Sequence, residues 1–130
     1  MDMRVYFPGN RKVYADYKGF TIETDQPEQG GGDGTAPSPF DMFVVSIGTC
    51  AGIFAVDFMH QRDIPTDDAA IILRTERDPE KRLIGKITLE LQLPEEFPEK
   101  YEEALIRAVD LCTVKRHLAD PPDFDVVTSR

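Results

Sequence analysis

The sequence predicts an α+β fold with a largely antiparallel sheet. Two segments, residues 3–25 and 69–93, alternate apolar and polar residues around turn chemistry, which is typical of strands joined in hairpins. Two others, residues 38–62 and 95–118, repeat apolar residues every three or four positions, which is the helical period. The order is strands, a long helix, strands, a helix and a last strand. No internal repeat or second composition zone appears, so residues 1–130 are expected to form one domain.

The predicted strands are short and are separated by turn residues. A first strand is expected at residues 4–7, and a hairpin follows that turns at Lys18 and Gly19. The second hairpin turns through the charged residues 78–82, and its apolar residues alternate with Thr, Glu and Gln, so that one face should meet solvent. The last strand is expected at residues 124–128, where apolar and polar residues alternate again.

Residues 25–38 are rich in glycine and proline and contain no apolar anchor. This composition predicts a flexible surface loop. A phosphate-binding loop would need Gly-Lys-Ser/Thr before a helix, and a dinucleotide fingerprint would need a preceding strand and correctly spaced glycines. Because neither pattern occurs, no nucleotide cofactor is expected.

The long helix is predicted to begin with Ser38 as its N-cap and Pro39 at the first helical position, with Asp41 in a capping role. Six residues share one apolar face: Phe40, Phe43, Ile47, Cys50, Phe54 and Phe58. The other sides are also apolar, so the helix must be enclosed by other elements. Small residues at its middle, including Gly48 and Gly52, predict close packing, most simply against another helix.

The second helical segment is compatible with one helix or with two that break near Cys112. Lys115 and Arg116 lie near its end, where cations interact favourably with the helix dipole. The apolar residues before Cys112 follow one another at spacings of three and four positions, so they share one helical face with Cys112. Each cysteine therefore occupies an apolar helical face, where a helix–helix contact would bring the two together.

The bulk composition excludes several classes of function. A net charge of −9 without a basic cluster argues against a nucleic-acid partner. The N-terminus shows no secretory signal, and the uncharged stretch at residues 42–56 is shorter than the about 20 residues of a membrane span. We therefore expect a cytoplasmic protein that does not enter a membrane.

The chemistry of the two cysteines, Cys50 and Cys112, is open at this point. Without an export signal they are not expected to form a structural disulfide framework, and each is either an inert buried residue or a redox-active thiol. A zinc site that combined them with His60 and His117 would lack the close ligand pairs that are typical of zinc sites. No metal and no other cofactor is expected.

Residues 31–50 read GGDGTAPSPFDMFVVSIGTC and resemble the start of the central helix in the OsmC/Ohr family. Residues 110–114, DLCTV, are similar to the segment around the second cysteine of that family. The resemblance implies an OsmC-like fold, an intertwined homodimer and active sites at the subunit interface. It implies reduction of organic hydroperoxides, with Cys50 as the peroxidatic thiolate, Cys112 as the resolving thiol and a dithiol as the reductant.

The chain departs from the family pattern at two points. Peroxidase members carry a Glu ten residues before the first cysteine, where this chain has Phe40, and that Glu orients an Arg that stabilises the thiolate. Arg4 and Arg11 lie in the right part of the chain for this role, but neither stands in a matching motif. A second hypothesis is therefore a non-enzymatic protein that binds an apolar small molecule at the dimer interface, lined by Phe40, Phe43 and Phe54, with structural cysteines.

Overall fold

The computed structural model describes residues 2–130, and its element order confirms the predicted α+β fold. The chain forms two compact units, one up to Val45 and one from Ser46 onwards. The elements, in chain order, are β1 (Arg4–Gly9), β2 (Lys12–Tyr17), β3 (Phe20–Thr24), α1 (Pro39–His60), β4 (Ala70–Asp78), β5 (Leu83–Gln92), α2 (Glu102–Asp110) and α3 (Thr113–Ala119).

The first unit contains an antiparallel sheet in the order β1-β2-β3. The hairpin between β2 and β3 turns through Lys18 and Gly19, which both have positive φ, at 51° and 82°. A two-residue turn of this kind matches the twist of the flanking strands, so Tyr17 pairs directly with Phe20. The sequence predicted this turn correctly.

The loop between β3 and α1 has a buried anchor that the sequence did not predict. Asp25 is fully buried, and its carboxylate accepts hydrogen bonds from the Thr35 hydroxyl (2.7 Å), the Thr35 N–H (3.1 Å) and the Gln26 N–H (2.8 Å). These donors, with the Thr35 hydroxyl first among them, hold the pKa of Asp25 well below its usual range. The sequence did not predict this anchor, because it is a carboxylate rather than an apolar side chain.

The same loop is attached to the turn between β1 and β2. The Asn10 side-chain amide donates to the Gly31 carbonyl at 3.2 Å and to the Asp33 carboxylate at 3.1 Å. Lys12 forms an ion pair with the same carboxylate, and this partner raises the pKa of Lys12. These contacts attach the glycine-rich segment to the β1–β2 turn, so the segment is part of the folded first unit.

The start of α1 agrees with the predicted capping. The Asp41 N–H donates to the Ser38 hydroxyl at 3.1 Å, and the Ser38 N–H donates to the Asp41 carboxylate at 3.0 Å. This reciprocal pair satisfies two N–H groups that the helix leaves without an internal acceptor. Asp41 therefore has the capping role that the sequence predicted.

The core of the second unit is formed where α1 meets α2. The buried residues of this cluster are Ala51, Phe58, Met59, Phe97, Leu105 and Val109. The hairpin β4–β5 contributes partly buried residues, including Ile71 and Leu89. The residues that follow them in sequence, Ile72 and Glu90, are exposed, as alternation predicts. Gly48 of α1 faces Leu73 of β4, so its close neighbour is a strand and not the helix that was expected.

The C-terminal part of the chain corrects two predictions. Of the two possibilities for residues 95–118, the broken one is confirmed, because α2 ends at Asp110 and α3 begins at Thr113. The predicted last strand was wrong, because within the described chain residues 121–130 form no secondary structure. Phe124 and Val126 are 84% and 97% exposed there. Alternation indicates a strand only where a neighbouring strand can accept its backbone hydrogen bonds.

Candidate thiol site

Cys50 lies in the interior of α1, where its thiol is partly buried and free. It is the twelfth residue of the helix counted from Pro39, so the partial charge at the helix N-terminus does not act on it. Its sequence neighbour Ala51 is fully buried in the core of the second unit, whereas Cys50 keeps part of its surface exposed. The thiol therefore remains within reach of a small reagent.

Cys112 is also a free thiol, and it is fully buried. It does not occupy the helix face that the sequence predicted, because it lies in the break between α2 and α3 with extended backbone angles, φ −59° and ψ 149°. Its N–H donates to the Val109 carbonyl at 3.2 Å, and its carbonyl accepts from the Arg116 N–H at 3.1 Å. Both neighbouring turns therefore hold the residue in place.

Residues near the two cysteines in sequence contribute to one buried cluster. Ala51 follows Cys50, Val109 precedes Cys112 by three residues, and both Ala51 and Val109 belong to that cluster. α1 and α2 therefore both contribute to this cluster, and the cysteines themselves are not among its residues. The pairing of Cys50 with Cys112 stays a prediction.

The charged residues near Cys112 have partners of their own. Lys115 forms an ion pair with Asp110, and the Arg116 guanidinium donates to the Thr113 hydroxyl at 3.3 Å. His117 Nδ1 lies 2.7 Å from the Thr113 carbonyl oxygen. Within residues 2–130, no group of three or more His, Cys, Asp or Glu side chains could hold a metal ion.

Phe40, which stands where the resemblance implies a Glu, forms a ring pair with Phe43 in the first unit. The ring centroids are 5.6 Å apart, and both side chains are more than one-third exposed. Arg4 is stacked over the Tyr6 ring at 4.9 Å, and the Arg11 side chain lies close to Gly31. Within the first unit Phe40 and Phe43 therefore form an apolar pair, and Arg4 makes a cation–π contact with Tyr6.

Sequence reasoning missed an apolar pocket in the second unit. Its cavity volume is about 200 Å³, and its lining comes from α1, the segment before β4, both strands of the hairpin and α2. Phe40, Phe43 and Phe54, the predicted pocket residues, are not among the residues that line it. The signal in the sequence is the spacing of Gly48 and Gly52, which by itself predicts a helix-packing site.

The surface of α1 is unusually apolar. Its most apolar 18-residue window has a mean hydropathy of 1.9, yet only 22% of that window is buried within this chain. Length and composition alone would allow such a helix to cross a membrane, although core helices of soluble proteins pass the same test. Val45 and Ile53 are each 53% exposed.

The sequence of residues 31–127 matches the family described as OsmC-like protein. The chain belongs to the OsmC family. This match includes both cysteines and α1, and it confirms the resemblance of residues 31–50 and 110–114. No curated protein matches the sequence.

Solved structures of OsmC and Ohr proteins have a similar fold. A protein described as a putative osmotic stress induced and detoxification response protein from Psychrobacter arcticus is 18% identical, with a TM-score of 0.74 over 88% of this chain and 85% of that one. An OsmC-like protein from Mycoplasma pneumoniae is 15% identical, with a TM-score of 0.71 over 92% and 87%. The organic hydroperoxide resistance protein OhrB of Bacillus subtilis is 16% identical, with a TM-score of 0.54 over 93% of each chain.

Proposed function

We propose that this OsmC-family protein reduces organic hydroperoxides, with Cys50 as the peroxidatic thiol and Cys112 as the resolving thiol. The observation that carries the proposal is the unequal burial of the two free thiols: Cys50 keeps partial exposure and Cys112 has none. A peroxidatic thiol must meet its substrate, whereas a resolving thiol needs to meet only its partner. Membership of the OsmC family and the fold shared with an organic hydroperoxide resistance protein of Bacillus subtilis support a role in resistance to organic hydroperoxides.

The proposed reaction has two thiol steps. The Cys50 thiolate attacks the outer peroxide oxygen, the O–O bond breaks, and the departing alkoxide takes a proton and leaves as an alcohol. Cys50 then carries a sulfenic acid. The Cys112 thiol attacks this sulfur, a disulfide forms, and the sulfenic oxygen leaves as water. Both electrons that reduce the peroxide come from the two thiols.

A dithiol reductant would complete the cycle. One of its thiols attacks the Cys50–Cys112 disulfide, and its second thiol closes the reductant's own disulfide and releases both cysteines. This exchange returns two electrons to the protein. We propose that the protein acts in the cytoplasm, where thiols are kept reduced.

The surroundings of Cys50 favour a substrate with an apolar group. Ile47 and Phe54 lie three residues before and four residues after Cys50 on α1, and Ile47 is buried. Neither side chain can donate to the hydroxyl or charged end of a polar peroxide. We propose alkyl and aryl hydroperoxides as substrates.

A peroxide titration followed by intact mass tests this proposal. After one equivalent of cumene hydroperoxide, the reduced protein should become lighter by two hydrogen atoms and release one equivalent of cumyl alcohol. Peptide mapping should then identify a Cys50–Cys112 disulfide. An unchanged mass with unreacted peroxide would exclude the peroxidase function. A stable gain of one oxygen would exclude the resolving role of Cys112.

We also propose that the chain forms a homodimer through the exposed side of α1. Val45 and Ile53 are large apolar residues on a helix whose sequence is apolar nearly all round, and a second copy would remove them from water.

We expect sedimentation velocity to give twice the mass of the chain at micromolar concentration. Ile53→Asp should yield the monomer mass, because dimerisation would bury a charge, whereas Asp57→Ala at an exposed α1 position should remain dimeric. A monomeric native protein would contradict the proposal.

The exposed Phe40–Phe43 ring pair favours a second candidate function. In this alternative the protein binds an apolar small molecule at the dimer interface without reacting with it, and the cysteines are structural. Phe40 replaces the Glu of peroxidase members, which removes half of an activating ion pair. The titration separates the two functions, because only the peroxidase consumes the peroxide and oxidises both thiols.

A further inference from the structure

The apolar pocket of the second unit is formed where α1 passes the open end of the β4–β5 hairpin. Its lining residues are Gly48, Gly52, Ala55, Val56, Met59, Thr66, Ala69, Ala70, Ile71, Leu91, Leu93 and Leu105. Met59 and Leu105 are 2% and 1% exposed, so the inner part of the pocket lies in the core. Core residues therefore form the inner end of the pocket, while its other side is open to solvent.

The lining chemistry is almost purely aliphatic. It contains no charged and no aromatic side chain, and Thr66 supplies its one side-chain hydroxyl. The volume of about 200 Å³ exceeds that of an engineered apolar cavity of roughly 150 Å³ that stays dry and binds benzene. A ligand must therefore be apolar over most of its surface, and it can place one neutral polar group at Thr66.

Gly52 of α1 borders unoccupied space in the pocket. A Cβ atom at Gly52 would have no heavy atom within 4 Å, so the volume in front of this residue is unoccupied. Glycine is unfavourable within a helix compared with alanine, and an alanine methyl group would fit here. The vacant space therefore does not result from a steric requirement for glycine.

The pocket lies on the side of α1 opposite to Cys50. Cys50 is two residues away from both Gly48 and Gly52, which corresponds to a rotation of about 200° around the helix. A molecule in the pocket would have the helix backbone between itself and the thiol. The pocket is therefore a site distinct from the thiol site.

We propose that this pocket is a binding site for a small neutral aliphatic molecule, such as a medium-chain alcohol, whose chain lies along Gly52, Leu91 and Leu93. Its hydroxyl group pairs with the hydroxyl of Thr66. A carboxylate is disfavoured, because the lining offers no cation to pair with it. This site does not depend on the redox chemistry of the cysteines, so it remains even in a protein that does not reduce peroxides.

Methyl NMR of the full chain tests the proposal directly, with butan-1-ol, hexan-1-ol and octan-1-ol as probes. We expect saturable shifts of the Met59, Ile71 and Leu91 methyl signals, with the Ile47 methyl signals unchanged. The affinity should rise about fourfold with each added methylene until the chain fills the pocket. Absence of saturable shifts at every chain length would overturn the proposal.

Filling variants locate the binding site. Gly52→Leu should weaken hexan-1-ol binding at least tenfold, and Gly52→Ala should have a smaller effect in the same direction. Glu103→Leu adds the same side chain at an exposed position of α2 and should bind like the native protein. Circular dichroism confirms that each variant is folded. Unchanged binding by folded Gly52→Leu, or NOEs showing that side chains of a second copy occupy the pocket, would contradict the assignment.

Discussion

Replacing Cys50 with serine is expected to abolish turnover of cumene hydroperoxide in the presence of a dithiol. A serine hydroxyl is almost entirely protonated near neutral pH and is a far weaker nucleophile toward peroxide oxygen than a thiolate. The loss should be on the order of 10³-fold or more, as is typical when an enzyme loses its nucleophile. The variant should stay folded, because Cys50 is only partly buried and serine is of similar size.

The matched variant Cys112→Ser separates the two thiol roles. It should still consume one equivalent of peroxide, because Cys50 is intact, and its mass should then increase by one oxygen as the sulfenic acid accumulates. Steady-state turnover with the dithiol should fall, since no intramolecular disulfide can form. Normal turnover by Cys50→Ser, or equal loss of the first oxidation step in both variants, would contradict the assigned roles.

Replacing Gly32 with alanine is expected to destabilise the first unit by about 3 kcal/mol, at the upper end of the usual cost of overpacking. An added Cβ would overlap the Gln26 carbonyl oxygen and would lie 2.8 Å from the Asp25 carboxylate. The Gln26 carbonyl is part of the backbone, and the Asp25 carboxylate is held in place by its hydrogen bonds to Thr35. The loop must therefore shift away from Asp25, which breaks those bonds. Urea denaturation measures the loss.

Gly30→Ala in the same loop is the control for that experiment. Its added Cβ would meet Pro27 side-chain atoms at 3.6 Å, which is an ordinary contact. We expect a change in the free energy of unfolding of about 0.5 kcal/mol or less in either direction. Equal tolerance of both substitutions would show that residues 25–38 are flexible after all, as their composition alone predicts.

The local elements of this protein could be predicted from its sequence because their determinants lie within a few residues of each other. The cap at Ser38 and Asp41 needs only residues three apart, and the turn at Lys18 and Gly19 needs only two residues of suitable backbone conformation. The same local rules failed at Phe124 and Val126, because a strand is stable only when another strand pairs with it.

The candidate thiol residues could be selected from the sequence, since the chain has only two cysteines and both lie in family-like segments. The burial of these thiols and the partners of the charged residues near them could not be predicted from the sequence. The burial of Cys112 follows from a helix break that the sequence left undecided. The partners of Lys115 and Arg116 also depend on how the turns around that break are folded.

Composition and periodicity were sufficient to predict the α+β class and the capped apolar helix, and to select the two cysteines as candidate site residues. The anchoring of the loop by Asp25 and the pocket beside Gly52 arise only in the folded chain. Hydrogen bonds from Gln26 and Thr35 converge on one carboxylate because the loop closes on itself. The space beside Gly52 is enclosed by residues up to 53 positions away, such as Leu105. These residues are far apart in sequence and become neighbours only when the chain folds. Short-range sequence patterns therefore do not reveal the pocket.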